Sequence, residues 1–408
     1  MKIFLGCHDV ASVLSGVAEG LRLNGHNVTT FVLERNFHYP EVKYDIIKEP
    51  FIESAIRYEQ RKISWRFKLA LKKIDNFFFH RQLRKITPQL INEHDVFIFF
   101  WSPWLSEQEI FPLIKAKKKR IICIQLGSDV RHITAFQQEF NADVSTWDLN
   151  FHLESLNEKI KKVRTQELFA DSIFSVPDQA GLSIRGFNHI HIPIKKLESI
   201  AFNIPDRDAP VIIHAPTRKG SKGTAIIIDV IEKLKNEGFE FEFKLIQNMP
   251  NQDLLKELSD ADFLIDQVYL HGPGVLGTEA MAAGALVLTR FYKKHEKVFN
   301  PPVVDIRPDN IYEKLKHILM NREMYKELQV RGREFVEKNN TPQKVAEKIL
   351  NSLTTKSEEY LPDFFTEKFV LNEDQKLSKE VLRLNREVIR KYKPLYESNR
   401  SLIQRNLI

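Results

Sequence analysis

The chain has 408 residues, of which 43% are apolar, and 61 Lys and Arg against 54 Asp and Glu give a formal net charge of +7. This length exceeds what one hydrophobic core normally supports, so the sequence predicts two domains. Apolar runs stay shorter than the roughly 18 to 20 residues of a membrane span, and the opening MKIFLGCHDV is interrupted too early for a signal peptide. We therefore expect a cytoplasmic protein.

The first predicted unit alternates strands with a helix. Met1–Leu5 is a short apolar strand, residues 6–12 (GCHDVAS) form a polar loop, residues 13–26 have a helical pattern, and Asn27–Leu33 is the next strand. Further short apolar runs are typical of buried parallel strands. They lie at Asp95–Phe100, Arg120–Leu126, Asp171–Val176 and His189–Pro193.

The two cysteines, Cys7 and Cys123, fall at predicted strands in opposite parts of this unit. That placement favours buried reduced thiols over a disulfide framework. The sequence contains no H-x-x-x-H or C-x-x-C spacing, so we expect no structural metal site.

A linker with two prolines, residues 203–210 (NIPDRDAP), precedes a second series of strands and helices. The alternation predicts a second parallel, doubly wound sheet. Its strands are expected at Val211–His214, Phe241–Ile246, Phe263–Asp266, Leu286–Thr289 and Val303–Asp305. Two such domains form a cleft between them.

A cationic loop follows the first strand of the second domain, in residues 211–224 (VIIHAPTRKGSKGT). Arg218, Lys219 and Lys222 are expected at the carboxyl edge of the sheet, which is where open α/β sheets bind ligands. Clustered cations at such an edge suit a diphosphate.

A glycine-rich turn between a strand and a helix lies in residues 266–290 (DQVYLHGPGVLGTEAMAAGALVLTR). The amino terminus of a helix behind such a turn attracts an anion, and Glu279, one turn inside, can accept hydrogen bonds from ribose hydroxyls. The same turn spells G-x-G-x-x-G, so a dinucleotide site and a turn without any ligand both remain open. Pro273 stiffens the turn, and the next strand ends without the acid that binds the ribose in dinucleotide sites. Both features disfavour a dinucleotide site.

The cationic loop followed by D-Q-x(6)-G-x(4)-E-A-M-A-x-G-x-x-V resembles GT-B glycosyltransferases of the GT4-like group. The resemblance implies an α/β GT-B fold with two doubly wound, Rossmann-like domains facing a cleft. We expect an acceptor-side domain at 1–200, a nucleotide-sugar donor domain at 201–355 and a helical tail at 356–408. The tail is expected to return to the first domain, to pack in a homodimer or to assist membrane contact.

The resemblance also implies the donor site. Arg218 or Lys219, together with Lys222, would bind the donor diphosphate, and Glu279 would bind the ribose. Many members carry a second Glu eight positions earlier, where this chain has His271. The remaining residues expected to contact the donor are Gly223, Asn248, Gly274 and Thr278.

The resemblance places the acceptor against the amino-terminal loops, so His8, Asp9, Ser12 and Trp101 are candidate acceptor contacts. Trp101 and Trp104 could stack on a sugar, but core packing is expected for at least one of them. If the enzyme inverts configuration, it needs a general base, for which the candidates are Asp9, Asp129 and His132. Asp129 could equally be a cap or turn residue. Retention, which the resemblance favours, needs no such base.

The resemblance thus predicts transfer of a sugar from a nucleoside-diphosphate sugar to a glycan or lipid-linked glycan, in bacterial surface polysaccharide synthesis. The nucleotide sugar would be a co-substrate, and no cofactor or metal is expected. Three alternatives stay open: a nucleotide-sugar epimerase of GT-B type, a dinucleotide-dependent oxidoreductase, and a protein that binds nucleotide sugars without catalysis.

Residues 57–86 are strongly basic, with ten Lys and Arg against Glu59 and Asp75. Apolar residues fall among them at helical spacing, which predicts a basic amphipathic helix on the inner face of the cell membrane. These are Ile63, Phe67, Leu71, Ile74 and Phe78. The alternative is a surface helix that packs this stripe on the first domain. Nucleic acid is not expected, because no recognition module is present.

Overall fold

The computed structural model describes residues 1–34, 42–48, 65–127, 129–131, 137, 139–142, 144, 147, 156–177, 182–293, 296–355, 358–360 and 377–396, with the backbone alone at 65–73 and 393–396. These residues form two parallel sheets, of seven and five strands, with helices between the strands. The α/β class and the doubly wound architecture are therefore confirmed.

The first sheet has the strand order β3-β2-β1-β4-β5-β6-β7, and all of its neighbours pair in parallel. Its strands are β1 (Lys2–Cys7), β2 (Asn27–Val32), β3 (Ile46–Ile47), β4 (Val96–Phe100), β5 (Arg120–Ile124), β6 (Ser172–Ser175) and β7 (Asn188–His189). Its helices are α1 (Val13–Leu23), α2 (Trp65–Glu93), α3 (Glu107–Ala116) and α4 (Leu156–Phe169). β4 is buried along its whole length, as expected for a strand covered on both faces.

The second sheet has the order β12-β11-β10-β8-β9 and is also parallel. Its strands are β8 (Val211–His214), β9 (Glu242–Leu245), β10 (Phe263–Gln267), β11 (Leu286–Thr289) and β12 (Val304–Asp305). The helices that accompany this sheet are α5 (Lys219–Lys222), α6 (Thr224–Asn236), α7 (Asn251–Ser259), α8 (Val275–Ala283), α9 (Ile311–Met320) and α10 (Lys326–Asn339).

In both sheets the order of the strands reverses once. The reversal lies between β1 and β4 in the first sheet and between β8 and β10 in the second. Crevices at the carboxyl ends of strands at such a reversal are the usual ligand sites of open α/β sheets. The loops after β1, β4, β8 and β10 are therefore the places where the fold favours a site.

The predicted strands are all present, although some are shorter than expected. β8 and β11 have the expected bounds, whereas the strand expected at His189–Pro193 is reduced to the two residues of β7. The sequence did not predict β3. Trp104 is buried in the core, where its indole N–H donates to the hydroxyl of Thr87 at 2.9 Å. Cys7 and Cys123 are both buried and free, as expected.

Two helices after residue 340 lie against the first domain. α11 (Pro342–Asn351) packs so closely on α1 that a Cβ at Gly20 would lie 1.8 Å from the Pro342 carbonyl oxygen. α12 (Lys379–Tyr396) packs on α4, and the buried Arg164 of α4 donates to Asn385 at 2.5 Å. Residues 361–376 and 397–408 of the tail lie outside the described residues.

Candidate functional site

A cavity of about 920 Å³ lies where the loops of the two sheets face each other. The loops after β1, β4 and β5 contribute Val10, Trp101 and Gly127, among others. The loops after β8 and β10 contribute Arg218 and the glycine turn. The cavity thus occupies the two places where the strand orders reverse.

Two of the three predicted cations line this cavity. Arg218 lies on the exposed loop before α5, and Lys222 lies at the last turn of that short helix. Lys219 is exposed and does not line the cavity. The ammonium of Lys222 is 2.5 Å from the carboxylate of Asp266, which is buried at the end of β10. Because this pair is close to neutral, Arg218 supplies more of the net positive charge on this side of the cavity.

The loop that carries these cations depends on Gly223. Gly223 has φ +76°, and a Cβ there would lie 2.2 Å from the Val268 side chain. His214 then fixes the start of α6 to the sheet. Its Nδ1 donates to the carbonyl of Ile265 at 2.7 Å, and its Nε2 accepts from the hydroxyl of Thr224 at 2.9 Å. Burial lowers the pKa of His214 to about 4, so the ring is neutral near pH 7.

The glycine turn presents backbone groups to the cavity at the amino terminus of α8. Gly272 has φ +73°, and the amide of Gln267 donates to its carbonyl at 2.8 Å. The N–H of Gly274 lies 3.3 Å from the second carboxylate oxygen of Asp266, and nothing lies within 4 Å of where a Cβ of Gly274 would be. The hydroxyl of Thr278 donates back to the Gly274 carbonyl at 2.8 Å. Asp266 therefore connects the cationic loop to the glycine turn.

Glu279 lies one turn into α8, and its side chain is buried. The amide of Asn251, which lines the cavity, donates to its carboxylate at 3.0 Å. Burial raises the pKa of Glu279 to about 7, and the hydrogen bond from Asn251 opposes that rise. Asn248, with φ +54°, lines the same part of the cavity. Glu279 thus lies behind Asn251 and does not itself line the cavity.

His271 lines the cavity at the position where the resemblance implied a carboxylate. Its Nδ1 accepts from the N–H of Tyr292 at 3.1 Å, and its ring stacks on Phe291 with 5.2 Å between centroids. The ring is therefore fixed in place by a backbone contact and an aromatic neighbour.

The polar residues of the loop after β1 do not line the cavity. The carboxylate of Asp9 accepts from the N–H groups of Leu14 and Ser15 and from the hydroxyl of Tyr44, so it caps α1. His8 and Ser12 do not line the cavity either, although Val10 and Ala11 do. Burial lowers the pKa of His8 to about 4.

Trp101 lines the cavity with φ +74°, and its ring centroid is 6.3 Å from that of His8. Asp129 is buried behind the wall of the cavity, where it accepts from the N–H of Gly127 at 2.8 Å. This contact is the turn role that the sequence left open for Asp129. Arg131 does line the cavity. His132 lies outside the described residues.

Glu107 is a buried acid that the sequence did not single out. It is the first residue of α3, a position where an acid is an ordinary helix signal. Burial raises the pKa of Glu107, and the nearby Lys162 opposes that rise. The same two influences act on the pKa of Asp129. Two buried acids therefore share one nearby cation behind the cavity wall.

Among the described residues, no group of three or more His, Cys, Asp or Glu side chains could hold a metal ion. Within the same residues, no helix combines the length and the apolar character that crossing a membrane requires.

Residues 235–351 match the model of a family described as glycosyl transferase-like. Two solved structures have similar folds. Sucrose-phosphate synthase from Thermosynechococcus elongatus has a TM-score of 0.53 and 13% identity, covering 86% of this chain and 98% of that one. Anabaena HepE in complex with UDP and glucose has a TM-score of 0.52 and 10% identity, covering 87% of this chain and 99% of that one. A search of curated proteins gave no match.

The two facing sheets and the family match define a glycosyltransferase with the GT-B fold. Within that class, residues 235–351 are similar to the glycosyl transferase-like family. This result confirms the resemblance seen in the sequence, and it replaces the oxidoreductase interpretation of G-x-G-x-x-G.

Proposed function

We propose that the protein transfers a sugar from a nucleoside-diphosphate sugar, with a uridine nucleotide as the first candidate, to a glycan or lipid-linked glycan. One observation carries the proposal: the cationic loop, the glycine turn and the Asn251–Glu279 pair all converge on one cavity where both strand orders reverse. A diphosphate near Arg218 and Lys222 would have its ribose near Asn251. The structure of HepE with UDP and glucose supports the choice of nucleotide.

The leaving diphosphate gains negative charge as the bond to the sugar breaks. Lys222 is already oriented by the buried Asp266, so its ammonium needs little reorganisation to stabilise that charge. Arg218 can add a forked pair of hydrogen bonds to the phosphate oxygens. The amino terminus of α8 lies on the same side of the cavity and contributes its dipole.

We further propose that configuration is retained. Asp9 is engaged in capping α1, and Asp129 lies behind the Gly127 backbone. Neither carboxylate lines the cavity, so neither is placed to take a proton from an acceptor hydroxyl. This arrangement supports a mechanism without an enzymic general base on those residues.

We propose that the protein meets its acceptor at the inner face of a bacterial cell membrane, where surface polysaccharides are assembled. Helix α2 begins at Trp65, and its side chains Ile74, Phe77 and Phe78 are exposed by 54%, 66% and 55%. Ile74 and Phe78 belong to the apolar stripe predicted from the sequence, and they do not pack on the first domain. Their basic surroundings suit anionic lipid headgroups. Residues 57–64 of the predicted segment lie outside the described residues.

The donor site is tested by thermal stabilisation with UDP-, GDP-, ADP-, TDP- and CMP-sugars, alongside NAD and NADP. The proposal expects one class of nucleotide sugar to raise the melting temperature of the wild type but not of Glu279→Gln. Asp262→Asn is the matched control, because Asp262 is also a buried acid of the second domain with a pKa raised by burial. Stabilisation by NAD or NADP, or by nothing in the panel, would overturn the donor site.

Turnover decides between a transferase and the two remaining alternatives. Incubation with the stabilising donor and membrane lipid extract should give a glycosylated product that depends on the extract. A changed sugar nucleotide without any acceptor would indicate an epimerase, and binding without any product would indicate a non-catalytic protein.

A further inference from the structure

Arg290 is a buried cation directly after β11, and it does not line the cavity. Its guanidinium forms an ion pair with Glu139 of the first domain. It also donates to the carbonyl of Tyr269 at 2.6 Å, and its Cζ lies 4.4 Å above the Phe140 ring. A residue of the second domain is thus held by an acid and an aromatic ring of the first.

The backbone of Arg290 holds the turn that leads into the donor loop. Its N–H donates to the carbonyl of Gln267 at 3.0 Å, and its carbonyl accepts from the N–H of Gly272 at 2.7 Å. The turn from 267 to 272 is therefore tied to Arg290 at both ends by the backbone, and at its centre by the guanidinium contact with Tyr269.

Aromatic packing reinforces the contact between the domains. The Tyr269 ring lies 5.2 Å from Phe140 and 4.5 Å from Trp147, measured between centroids. Together, Glu139, Phe140, Tyr269 and Arg290 form what we call the interdomain clamp. Tyr269 is thus contacted both by rings of the first domain and by the guanidinium that Glu139 holds.

A buried guanidinium is strongly destabilised when its carboxylate partner is removed. Separation of the two domains would take Glu139 and Phe140 away from Arg290, so the ion pair and the ring contact form only when the domains are closed. Closure of the domains and the ordered form of the 267–272 turn are therefore favoured by the same contact. The ordered turn in turn sets the position of Gly272 and Gly274 in the cavity.

We propose that Arg290 is a positioning residue that couples domain closure to the glycine turn of the donor site. When Glu139 forms its ion pair with the guanidinium, Tyr269 and Gly272 are held in place, and the turn has the conformation that binds the donor. When the clamp is open, the turn is loose and water reaches the donor. This inference rests on the proposed function for its catalytic consequence, but not for the clamp itself.

The first test compares Glu139→Gln and Arg290→Lys with Glu358→Gln. Glu358 is a matched control because it also pairs with a buried arginine, Arg185, at 2.8 Å, and it does not line the cavity. We expect the clamp variants to raise the KM for the nucleotide sugar by about tenfold and to increase donor hydrolysis relative to transfer. The control should change neither. Clamp variants that lose only stability, as the control does, would overturn the positioning role.

The second test does not require a nucleotide sugar. Spin labels at Lys117→Cys and Glu232→Cys, both exposed, report the distance between the domains, and the native cysteines are buried. Glu139→Gln should broaden the distance distribution relative to Glu358→Gln. An unchanged distribution would overturn the clamp. If the wild type binds no nucleotide sugar, the proposed function fails, and this distance measurement alone still decides whether the clamp exists.

Discussion

The pKa of Glu279 leads to a specific prediction for donor binding. The side chain is 8% exposed, and burial raises its pKa to about 7. The Asn251 amide donates a hydrogen bond more strongly to a carboxylate than to a carboxylic acid, so the ionised form of Glu279 is the one that holds Asn251 in place for the ribose. Donor binding should therefore release a proton near neutral pH and tighten as the pH rises.

The expected size follows from the ionised fraction. With a pKa of about 7, that fraction rises from about one tenth at pH 6 to about nine tenths at pH 8, so the donor Kd should fall about tenfold. In Glu279→Gln this slope should vanish. The free energy of unfolding of the free protein should instead fall as the pH rises. Between pH 4.5 and about 7 the native state holds a proton that the unfolded state has lost, so stability falls as the pH rises, by up to about 3 kcal/mol.

Calorimetric titration of a UDP-sugar at pH 6, 7 and 8 measures the slope. A sugar nucleotide is preferable to UDP, because its diphosphate is fully ionised over this range and does not itself titrate. Repeating each titration in two buffers of different ionisation enthalpy counts the released protons. An equal pH slope in wild type and Glu279→Gln, or weaker binding at higher pH in the wild type, would refute the reasoning.

Three further predictions concern the cationic loop. Gly223→Ala should lose about 2 kcal/mol or more in denaturant unfolding, because its Cβ would meet Val268. Gly238→Ala, with a similar φ but open space around it, should lose about 1 kcal/mol, and equal losses would contradict this account. Lys222→Met should cost about 3 to 5 kcal/mol, since it leaves a buried carboxylate without its cation. Arg218→Gln, being exposed, should change stability by less than about 0.5 kcal/mol yet weaken nucleotide-sugar binding, and unchanged binding would count against its role.

Most strands could be predicted because a strand that is buried on both faces appears in the sequence as a short run of apolar residues. β8 and β11 were placed to the residue for that reason. β3, with two residues, is too short to give such a signal. The strand order within each sheet could not be read from the runs, since it depends on which helices cover which face.

The site was predicted in outline but not in its pairings. Glycines and cations at strand ends are visible in the sequence, and they do converge on one cavity. The pairing of Lys222 with Asp266 joins positions 44 residues apart, so no local pattern reveals it. An Asp in a polar loop looks the same in the sequence whether it binds a ligand or caps a helix. In the structure, the N–H groups of Leu14 and Ser15 donate to Asp9, which shows that it caps the helix. Arg290 was visible only as the end of a strand.

The packing of α11 on α1 has a consequence for how the chain acquires its structure. Val345, Ala346 and Ile349 of α11 belong to the same apolar cluster as Val17 and other residues of α1. A boundary at residue 200 would therefore cut the first domain away from part of its own core. A fragment of residues 1–200 should aggregate or remain partly unfolded, whereas co-expression with residues 201–408 should rescue it. During synthesis, the domain that begins the chain becomes complete only after the second domain has left the ribosome.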